Sequence, residues 1–263
     1  MTATIGDLLE EASGRLRRGG VEHPRREAHR LLGDLAGLGS GASALHPERA
    51  VPGGLRELIL AAADRRASGE PIAYVTGRAG FRHLELAVDQ RVLIPRPETE
   101  QLVELVLAEA PHGRVVDVGT GSGCIALSLA SEGRDFEVTG IDRSPQALAV
   151  ARENAIRLGL VVEWLEGDLL APVRGRQFEV VVSNPPYLSA EEYRGLDASV
   201  KAWEPKGALV GGADGLEVIR RLVAEALEAV RPGGLLALEI DSSRAAATAA
   251  LAAAAGWQDV AVI

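Results

Sequence analysis

Val182-Ser183-Asn184-Pro185-Pro186-Tyr187 is the stretch around which we interpret this chain. It ends the apolar run at residues 178–182, whose β-branched residues predict a buried strand. The prolines end that strand, because proline has no N–H to donate to a neighbouring strand. The predicted corner presents the Asn184 side-chain amide, the Pro185 carbonyl and the Tyr187 ring. Ligands of open α/β sheets lie beyond the carboxyl ends of strands, so acceptors at this corner suit a substrate that carries an NH2 group.

Outward from this corner, strand-like and helix-like segments alternate from residue 114 to the end of the chain. Short β-branched and apolar runs predict strands at residues 115–118, 136–141, 161–165, 178–182, 234–240 and 257–263. Apolar residues at helical spacing predict helices at residues 125–130, 145–158, 215–230 and 242–255. Strands that alternate with helices are typical of a parallel, doubly wound sheet, so the sequence predicts an α/β fold.

The first 70 residues have the apolar spacing of helices. Thr4 and Asp7 form a capping signal for one helix, and Pro24 suits the first turn of another. Residues 36–54 are rich in glycine and predict a loop. This small helical domain either docks a partner or only packs on the main domain, and its composition favours neither interpretation.

The segment that follows is predicted to be a linker. Residues 73–75 and 84–88 have strand-like composition and are separated by turn residues, which predicts a β-hairpin. We therefore divide the chain into an N-terminal helical domain (residues 1–71), a β-hairpin linker (residues 72–95) and an α/β domain (residues 96–263).

The formal net charge of −9 is unevenly distributed along the chain. Residues 1–70 contain as many Arg as Asp plus Glu, so the excess of acidic groups lies in residues 71–263. Tight, non-specific binding of nucleic acid depends on Lys and Arg contacts to phosphates, which an acidic main domain disfavours. The charge is compatible with a small cationic ligand or with a protein partner.

Cys124 is the single cysteine, which excludes an internal disulfide and a cysteine metal cluster, and no metal site is predicted. The N-terminal residues lack the long apolar run of a signal peptide. No uncharged apolar stretch approaches the roughly 20 residues that cross a membrane. The sequence therefore predicts a cytoplasmic protein without a membrane segment.

A glycine-rich loop follows the strand at residues 115–118, in the sequence Asp117-Val118-Gly119-Thr120-Gly121-Ser122-Gly123. Glycines let the backbone approach a ligand closely, and the helix behind the loop offers unpaired N–H groups. Asp142 ends the next strand, 21 residues after Gly121, where a carboxylate can bind ribose hydroxyls. Taken singly, the loop could be a tight turn and Asp142 a helix cap. Together they predict a ligand that contains a nucleoside.

The type of nucleoside follows from the residue before the glycines. A dinucleotide loop reads G-x-G-x-x-G and is shaped for a pyrophosphate, whereas this loop reads Gly-Thr-Gly-Ser-Gly after Asp117. An acidic residue at that place repels phosphate and favours the cationic end of an amino acid. S-adenosylmethionine carries an ammonium and a sulfonium group, so it suits this loop better than NAD.

In this order, the glycine loop, Asp142 and the Asn-Pro-Pro-Tyr corner resemble class I methyltransferases that modify exocyclic or amide nitrogen. The whole chain from about residue 5 resembles the HemK family, release-factor glutamine N5-methyltransferases. Three further motifs carry this resemblance, namely Ile94-Pro95-Arg96-Pro97-Glu98-Thr99-Glu100, Glu204-Pro205 and Gly211-Gly212-Ala213-Asp214-Gly215-Leu216. The resemblance implies a Rossmann-like, S-adenosylmethionine-dependent methyltransferase that modifies the glutamine of the Gly-Gly-Gln motif of release factors.

The resemblance also implies the site residues. Asn184 and Pro185 would accept the two N–H bonds of the substrate glutamine, and Pro186 and Tyr187 would line the same pocket, with Asn184, Pro185 and Tyr187 as the catalytic set. The residues that would bind S-adenosylmethionine are Gly119, Thr120, Gly121, Ser122, Gly123, Asp142, Leu169 and Asn184. Arg96 and Glu98 would either shape the mouth of the pocket or cap a helix. Phe81 could reach the glutamine pocket or pack in the hairpin, and we expect packing.

Other functions remain open at this point. The substrate could be a glutamine of a ribosomal protein or, because adenine also carries an NH2 group, DNA adenine. The acidic main domain disfavours DNA, and an intact loop, Asp142 and Asn184 disfavour a non-catalytic interaction module. We expect a monomer that binds release factors as protein partners, without direct contact to nucleic acid or membrane.

The sequence departs from the family pattern in two places. Asp241 follows Glu239-Ile240, where the family usually has glycine. Family members usually continue beyond the position of Ile263 and form a final antiparallel strand. We therefore expect the strand predicted at residues 257–263 to lie beside a different neighbour or to be loosely held.

Overall fold

The computed structural model describes residues 4–37, 46–110, 112–133 and 135–263. The chain divides into two compact units, Met1–Arg78 and Ala79–Ile263. The loop predicted over residues 36–54 lies partly outside the described residues. None of the described helices is both long and apolar enough to span a bilayer.

The first unit is helical. Its described helices are α1 (Ile5–Arg18), α2 (Pro24–Ala36), α3 (Leu55–Ala67) and α4 (Ile72–Thr76). The predicted capping signal is confirmed, because the Asp7 amide donates to Thr4 Oγ1 at 3.2 Å while the Thr4 amide donates to Asp7 Oδ2 at 2.9 Å. One apolar cluster holds α1, α2 and α3 together, and its fully buried members include Leu8, Leu16, Leu31, Leu32 and Ile59.

Helix α4 corrects the prediction of a strand at residues 73–75. The amides of Tyr74 and Val75 both donate to the carbonyl of Pro71, which begins a helical turn. Gly77 then adopts a left-handed conformation, with φ of 72°, and ends that turn. A short, buried apolar run fits a helix or a strand equally well, so the pattern alone could not decide between them.

The second unit begins with a β-hairpin and continues as an α/β domain. The hairpin pairs β1 (Arg78–Phe81) with β2 (Leu84–Ala87). Its first strand therefore begins at Arg78 and not at residue 73, where the sequence analysis placed it. The elements that follow are α5 (Thr99–Glu109), β3 (Gly113–Val118), α6 (Cys124–Glu132), β4 (Phe136–Asp142), α7 (Pro145–Leu158), β5 (Glu163–Glu166), β6 (Phe178–Ser183), α8 (Ala190–Gly195), α9 (Ala198–Trp203), α10 (Glu217–Ala229), β7 (Val230–Leu238) and α11 (Ala245–Ala255).

The large sheet is parallel and has the strand order β5-β4-β3-β6-β7. Its central strands are buried on both faces, since Val115 and Val180 pack in one apolar cluster while Val116 and Val181 pack in another. The β-branched runs in the sequence therefore mark strands covered by helices on both sides, which confirms the predicted doubly wound α/β fold.

The order of the strands places the candidate site. The chain builds β3, β4 and β5 in one direction and then returns to place β6 on the other side of β3. Such a reversal leaves a crevice beyond the carboxyl ends of the two strands that flank it, and ligands of open α/β sheets bind there. The loops after β3 and β6 are the glycine-rich loop and the Asn-Pro-Pro-Tyr corner.

The C-terminal residues correct a second prediction, because residues 257–263 form no strand. The Trp257 side chain donates from Nε1 to the Val223 carbonyl at 3.0 Å, which ties it to α10 and not to the sheet. Asp259 then adopts a positive φ of 52°, which breaks an extended run. The side chain of Ile263 is 99% exposed, so the apolar residues of this stretch are not held by a neighbouring strand.

Asn154 joins the hairpin to the glycine loop. It is fully buried on α7, accepts a hydrogen bond from the Ala87 amide at 2.6 Å, and donates from Nδ2 to the carbonyls of Ala87 and Ser122, both at 3.0 Å. Asn154→Ala leaves the buried Ser122 carbonyl and the partly buried Ala87 groups without these partners. We expect it to lower the free energy of unfolding by about 3 kcal/mol.

Thermal and urea unfolding of Asn154→Ala measure this loss. Gln146→Ala is the matched control, because it removes an exposed amide side chain from the same helix and is expected to change stability little. Equal stability of the two variants would contradict the bridging role of Asn154.

Candidate active site

The ends of β3 and β6 are joined directly. Asp117 lies opposite Val182 in the register of the two strands. One residue further along each strand, the Ser183 hydroxyl donates to the Val118 carbonyl at 2.6 Å, and both groups are buried. The glycine loop and the Asn-Pro-Pro-Tyr corner therefore start from one fixed point in the crevice.

The glycine loop is open on the side where a ligand would approach. Gly119 has φ of 75°, and a Cβ added there would meet no atom of the described residues within 4 Å. A side chain would be strained at this φ and would fill the open space. The loop therefore presents bare backbone at Gly119.

Asp142 lies against the glycine loop. The Gly121 amide donates to Asp142 Oδ2 at 2.9 Å, and the Ser144 amide donates to Oδ1 at 2.9 Å. Ser144 itself caps α7, since its Oγ accepts from the Ala147 amide at 3.1 Å. The carboxylate of Asp142 thus fixes both the loop and the start of the helix, and each oxygen keeps lone pairs for further donors.

Asp117 is a fully buried acid beneath the loop. Its Oδ2 accepts from the Thr120 hydroxyl at 2.6 Å and from the Ala126 amide at 3.2 Å, whereas Oδ1 has no partner among the described residues. Burial raises the pKa of Asp117 to about 7; the hydrogen bonds from Thr120 and Ala126 oppose this rise, and the nearby charge of Asp142 adds to it. An uncompensated buried carboxylate suits a cationic group above the loop and disfavours a phosphate.

The loop after β5 also reaches Asp142. The Gly167 amide donates to the Asp142 carbonyl at 3.0 Å, so residues 167–169 follow the same edge of the sheet. Leu169 has a positive φ of 48°, a conformation that non-glycine residues rarely adopt and that is often kept at functional positions. This placement is compatible with the predicted contact of Leu169 with adenine.

The corner after β6 presents Asn184 from a supported position. Asn184 Nδ2 donates to the Thr99 hydroxyl at 3.0 Å. Tyr187 is half-buried, and burial raises its pKa, to which the charges of Glu239 and Asp241 add. The hydroxyl of Tyr187 therefore stays protonated, so this side chain is neutral near pH 7.

Two glycines of the Gly211–Leu216 motif explain why that motif accompanies the corner. A Cβ on Gly211 would lie 2.2 Å from the Pro186 carbonyl oxygen, and one on Gly215 would lie 2.3 Å from that of Tyr187. The backbone of the corner therefore packs on bare glycine backbone.

Gly215→Ala is expected to lower the free energy of unfolding by about 2 kcal/mol or more and to reduce methyl transfer. The reason is that Gly215 has φ of 75° and its new Cβ would push on the Tyr187 carbonyl. Gly175→Ala is a matched control, since Gly175 has φ of 82° but open space around it. If the two variants lost equal stability and activity, the close contact with Tyr187 would be irrelevant.

Arg96 links two of the motifs that the sequence analysis quoted separately. The Arg96 Nη2 atom lies 2.8 Å from Oε1 and 2.6 Å from Oε2 of Glu204. Glu204 is buried and comes 108 positions later in the chain. Glu98 precedes α5 but makes no side-chain capping hydrogen bond. Phe81 is 1% exposed and packs in the main core, which confirms the expected packing role.

Three residues near the corner were not predicted as site residues. Thr99 and Glu239 lie beside Asn184, and Asp117 entered the sequence analysis only as a sign of ligand charge. Two features of the sequence could have identified them as site residues. Thr99 lies within the quoted Pro-Glu-Thr-Glu motif, and Glu239 lies at the end of a predicted strand.

Comparisons with known proteins agree with this geometry. The PrmC N-terminal domain family matches residues 7–77 and the Methyltransferase small domain family matches residues 97–202. The release factor glutamine methyltransferase of Deinococcus radiodurans is 43% identical over 97% of this chain and 92% of that protein. The enzyme of the same description from Moorella thermoacetica is 45% identical over 96% of this chain and 91% of that protein.

A solved methyltransferase structure from Pyrococcus furiosus supports the fold. It is 20% identical, covers 66% of this chain and 79% of that chain, and aligns with a TM-score of 0.51. The predicted Rossmann-like methyltransferase fold and the predicted dependence on S-adenosylmethionine are confirmed by these matches. Because the sequence similarity extends over nearly the full length, the chain belongs to the release factor glutamine methyltransferase family.

Proposed function

We propose that this chain transfers a methyl group from S-adenosylmethionine to the side-chain N5 of the glutamine in the Gly-Gly-Gln motif of release factors. The observation that carries the proposal is the junction at Ser183 and Val118, which places a loop suited to a cation beside a corner that offers hydrogen-bond acceptors. The names of the full-length relatives support the same substrate class.

When bound, S-adenosylmethionine supplies a methyl group attached to a positively charged sulfur. The loop from Gly119 to Gly123, including Thr120, Gly121 and Ser122, would hold its methionine end, and Asp117 would compensate its ammonium charge through the loop. Asp142 would accept hydrogen bonds from the ribose hydroxyls, and Leu169 would contact the adenine. The open backbone at Gly119 and the uncompensated carboxylate of Asp117 are the features that fit this cofactor.

The corner would prepare the substrate nitrogen. An amide nitrogen is a poor nucleophile, because its lone pair is delocalised into the carbonyl. Asn184 Oδ1 and the Pro185 carbonyl would accept its two N–H bonds, which orients the nitrogen and favours lone-pair density on it. Pro186 and the neutral Tyr187 would line the pocket and exclude water. No strong base is needed, since the alkylated nitrogen loses a proton readily.

The cellular setting is also part of the proposal. We place the reaction in the cytoplasm, with the release factor as a protein partner, the helical unit as its docking domain and the enzyme as a monomer. The acidic excess in residues 71–263 supports a reaction without direct nucleic-acid binding.

A labelling experiment tests the substrate. The purified enzyme receives S-adenosylmethionine with a radioactive methyl group, and release factor, ribosomal protein and DNA are offered in parallel. We expect label on the release factor, at the glutamine of Gly-Gly-Gln, and none on a release factor in which that glutamine is replaced. Label on DNA or ribosomal protein, with none on release factor, would refute the proposal.

A further inference from the structure

The side-chain nitrogen of Asn184 is held from behind by Thr99. Nδ2 of Asn184 donates to Thr99 Oγ1 at 3.0 Å, and Thr99 is only 2% exposed at the start of α5. Because the Thr99 oxygen already accepts a hydrogen, the hydroxyl hydrogen of Thr99 needs an acceptor of its own. Water reaches this buried hydroxyl poorly, so the acceptor must come from the protein.

Glu239 offers a carboxylate at that place. Its amide donates to the Ser183 carbonyl at 3.0 Å, which sets Glu239 beside Asn184 at the ends of neighbouring strands. Burial raises the pKa of Glu239, while hydrogen bonding by Thr99 and then by Asn184 opposes this rise. Its Oε2 is buried and has no hydrogen-bond partner within the described part of the chain. In its ionised form this carboxylate can only accept, so we assign the hydrogen of Thr99 to Glu239.

We propose that Thr99 and Glu239 are positioning residues that fix the amide of Asn184 with its oxygen facing the substrate. This inference rests on the proposed function, in which Asn184 Oδ1 accepts an N–H of the glutamine. The two ends of an asparagine amide have nearly the same shape, so packing alone would hold either orientation. The reversed orientation would place the NH2 group of Asn184 against the NH2 group of the substrate glutamine. Both groups are donors, so no hydrogen bond could form between them.

The direction of the hydrogen bonds excludes that reversal. Thr99 accepts from Asn184. With the hydrogen of Thr99 directed to the Glu239 carboxylate, as assigned here, a reversed Asn184 would put its oxygen against an oxygen that has no hydrogen left to give. The oxygen of Asn184 is therefore directed away from α5, ready for the substrate, before the substrate binds. Such preorganisation saves reorientation in the transition state and acts on kcat.

We call the hydrogen-bonded series Asn184, Thr99 and Glu239 the relay. Thr99→Val tests it, because valine keeps the shape of threonine and can neither donate nor accept a hydrogen bond. We expect kcat for release-factor methylation to fall about tenfold or more, with the dissociation constant of S-adenosylhomocysteine within about twofold of the original. Thr99→Ser keeps the hydroxyl and is expected to restore most of kcat. A Thr99→Ser variant as slow as Thr99→Val would show that the methyl group packs and that the relay is wrong.

Thr139→Val is the matched control. Thr139 is also buried, and its hydroxyl also donates to a glutamate, Glu163, at 2.9 Å, but it lies on β4 away from Asn184. We expect its kcat to stay within about twofold of the original. A loss as large as that of Thr99→Val would mean that any buried hydroxyl in this sheet matters equally, and would overturn the proposal.

A measurement without substrate separates this inference from the proposed function. Exchange of the Asn184 side-chain NH2 with D2O, followed by ¹H–¹⁵N NMR and assigned by its loss in Asn184→Ala, should be at least about tenfold faster in Thr99→Val. Unchanged exchange together with unchanged kcat overturns the relay even when release factor is methylated normally. Absence of label on release factor with the unaltered enzyme overturns the proposed function instead.

Discussion

Replacing Asn184 with alanine is expected to lower kcat by at least about a thousandfold, whereas cofactor binding should survive at least in part. Alanine removes the acceptor that we propose orients the substrate amide, and no neighbouring group can take its place if the Thr99 hydroxyl is directed to Glu239 as inferred above. The glycine loop and Asp142 are untouched by this change, because their contacts are made to each other and to β4.

Single-turnover methylation of release factor and titration with S-adenosylhomocysteine measure the two effects separately. Gln101→Ala serves as the matched control, because Gln101 is an exposed amide side chain on α5 and its loss should change neither quantity. Full turnover by Asn184→Ala would show that the corner does not hold the reacting amide, and the mechanism proposed above would be wrong.

Much of the site was predictable because its backbone is determined locally. Proline ends a strand wherever it occurs, and a β-branched run buried on both faces has few alternatives to a central strand. The residues that open the ligand side of the loop are glycines, whose effect on the backbone needs no knowledge of distant residues. The strands before Asn184 and Asp142 were therefore found from short windows of sequence.

The errors occurred where tertiary contacts decide. Residues 73–75 are apolar and short, so their helical hydrogen bonds to Pro71 could not be distinguished from a strand by periodicity. Residues 257–263 have apolar residues at suitable positions, but Trp257 is tied to α10 through Val223. A strand needs a neighbour, and the sequence does not state which neighbour is available.

The supporting residues of the site depend on long-range contacts. Thr99 and Asn184 are separated by 85 positions, and Arg96 and Glu204 by 108. Each pair joins a segment before the sheet to one after its central strands. Nothing in the local sequence indicates that these segments meet. The family resemblance showed that the motifs occur together, but it did not show which of their residues are in contact.

Asp117→Asn is expected to weaken binding of S-adenosylhomocysteine by about tenfold or more at pH 8 and to stabilise the ligand-free protein. S-adenosylhomocysteine keeps the ammonium group whose charge Asp117 is proposed to compensate. Asparagine has the shape of aspartate and can still accept from Thr120 and Ala126, so the loop should be preserved. The variant removes one buried charge and places an NH2 group where Oδ1 has no partner among the described residues, which offsets part of the gain in stability.

The pH dependence of folding stability shows whether the charge of Asp117 stabilises or destabilises the protein. Asp117 has a folded-state pKa of about 7, above its ordinary value of 3.8, so the folded protein binds an additional proton between these pH values. Its contribution to stability is therefore most favourable below about pH 4, declines as the pH rises to about 7, and is constant above that. Asp117→Asn should consequently gain most stability over the original protein at pH 8, by up to roughly 4 kcal/mol, and less than half of that at pH 5.

Ligand affinity should change in the opposite direction. A cation above the loop favours the ionised form of Asp117, so affinity for S-adenosylhomocysteine should rise between pH 6 and pH 8 in the unaltered enzyme and stay flat in Asp117→Asn. Glu137→Gln removes an exposed charge at the beginning of β4 and should retain both the affinity and its pH dependence. A pH dependence that survives in Asp117→Asn would assign the titration to another group. The paired result, a more stable protein that binds its cofactor less well, is expected only if the buried charge is kept for the ligand.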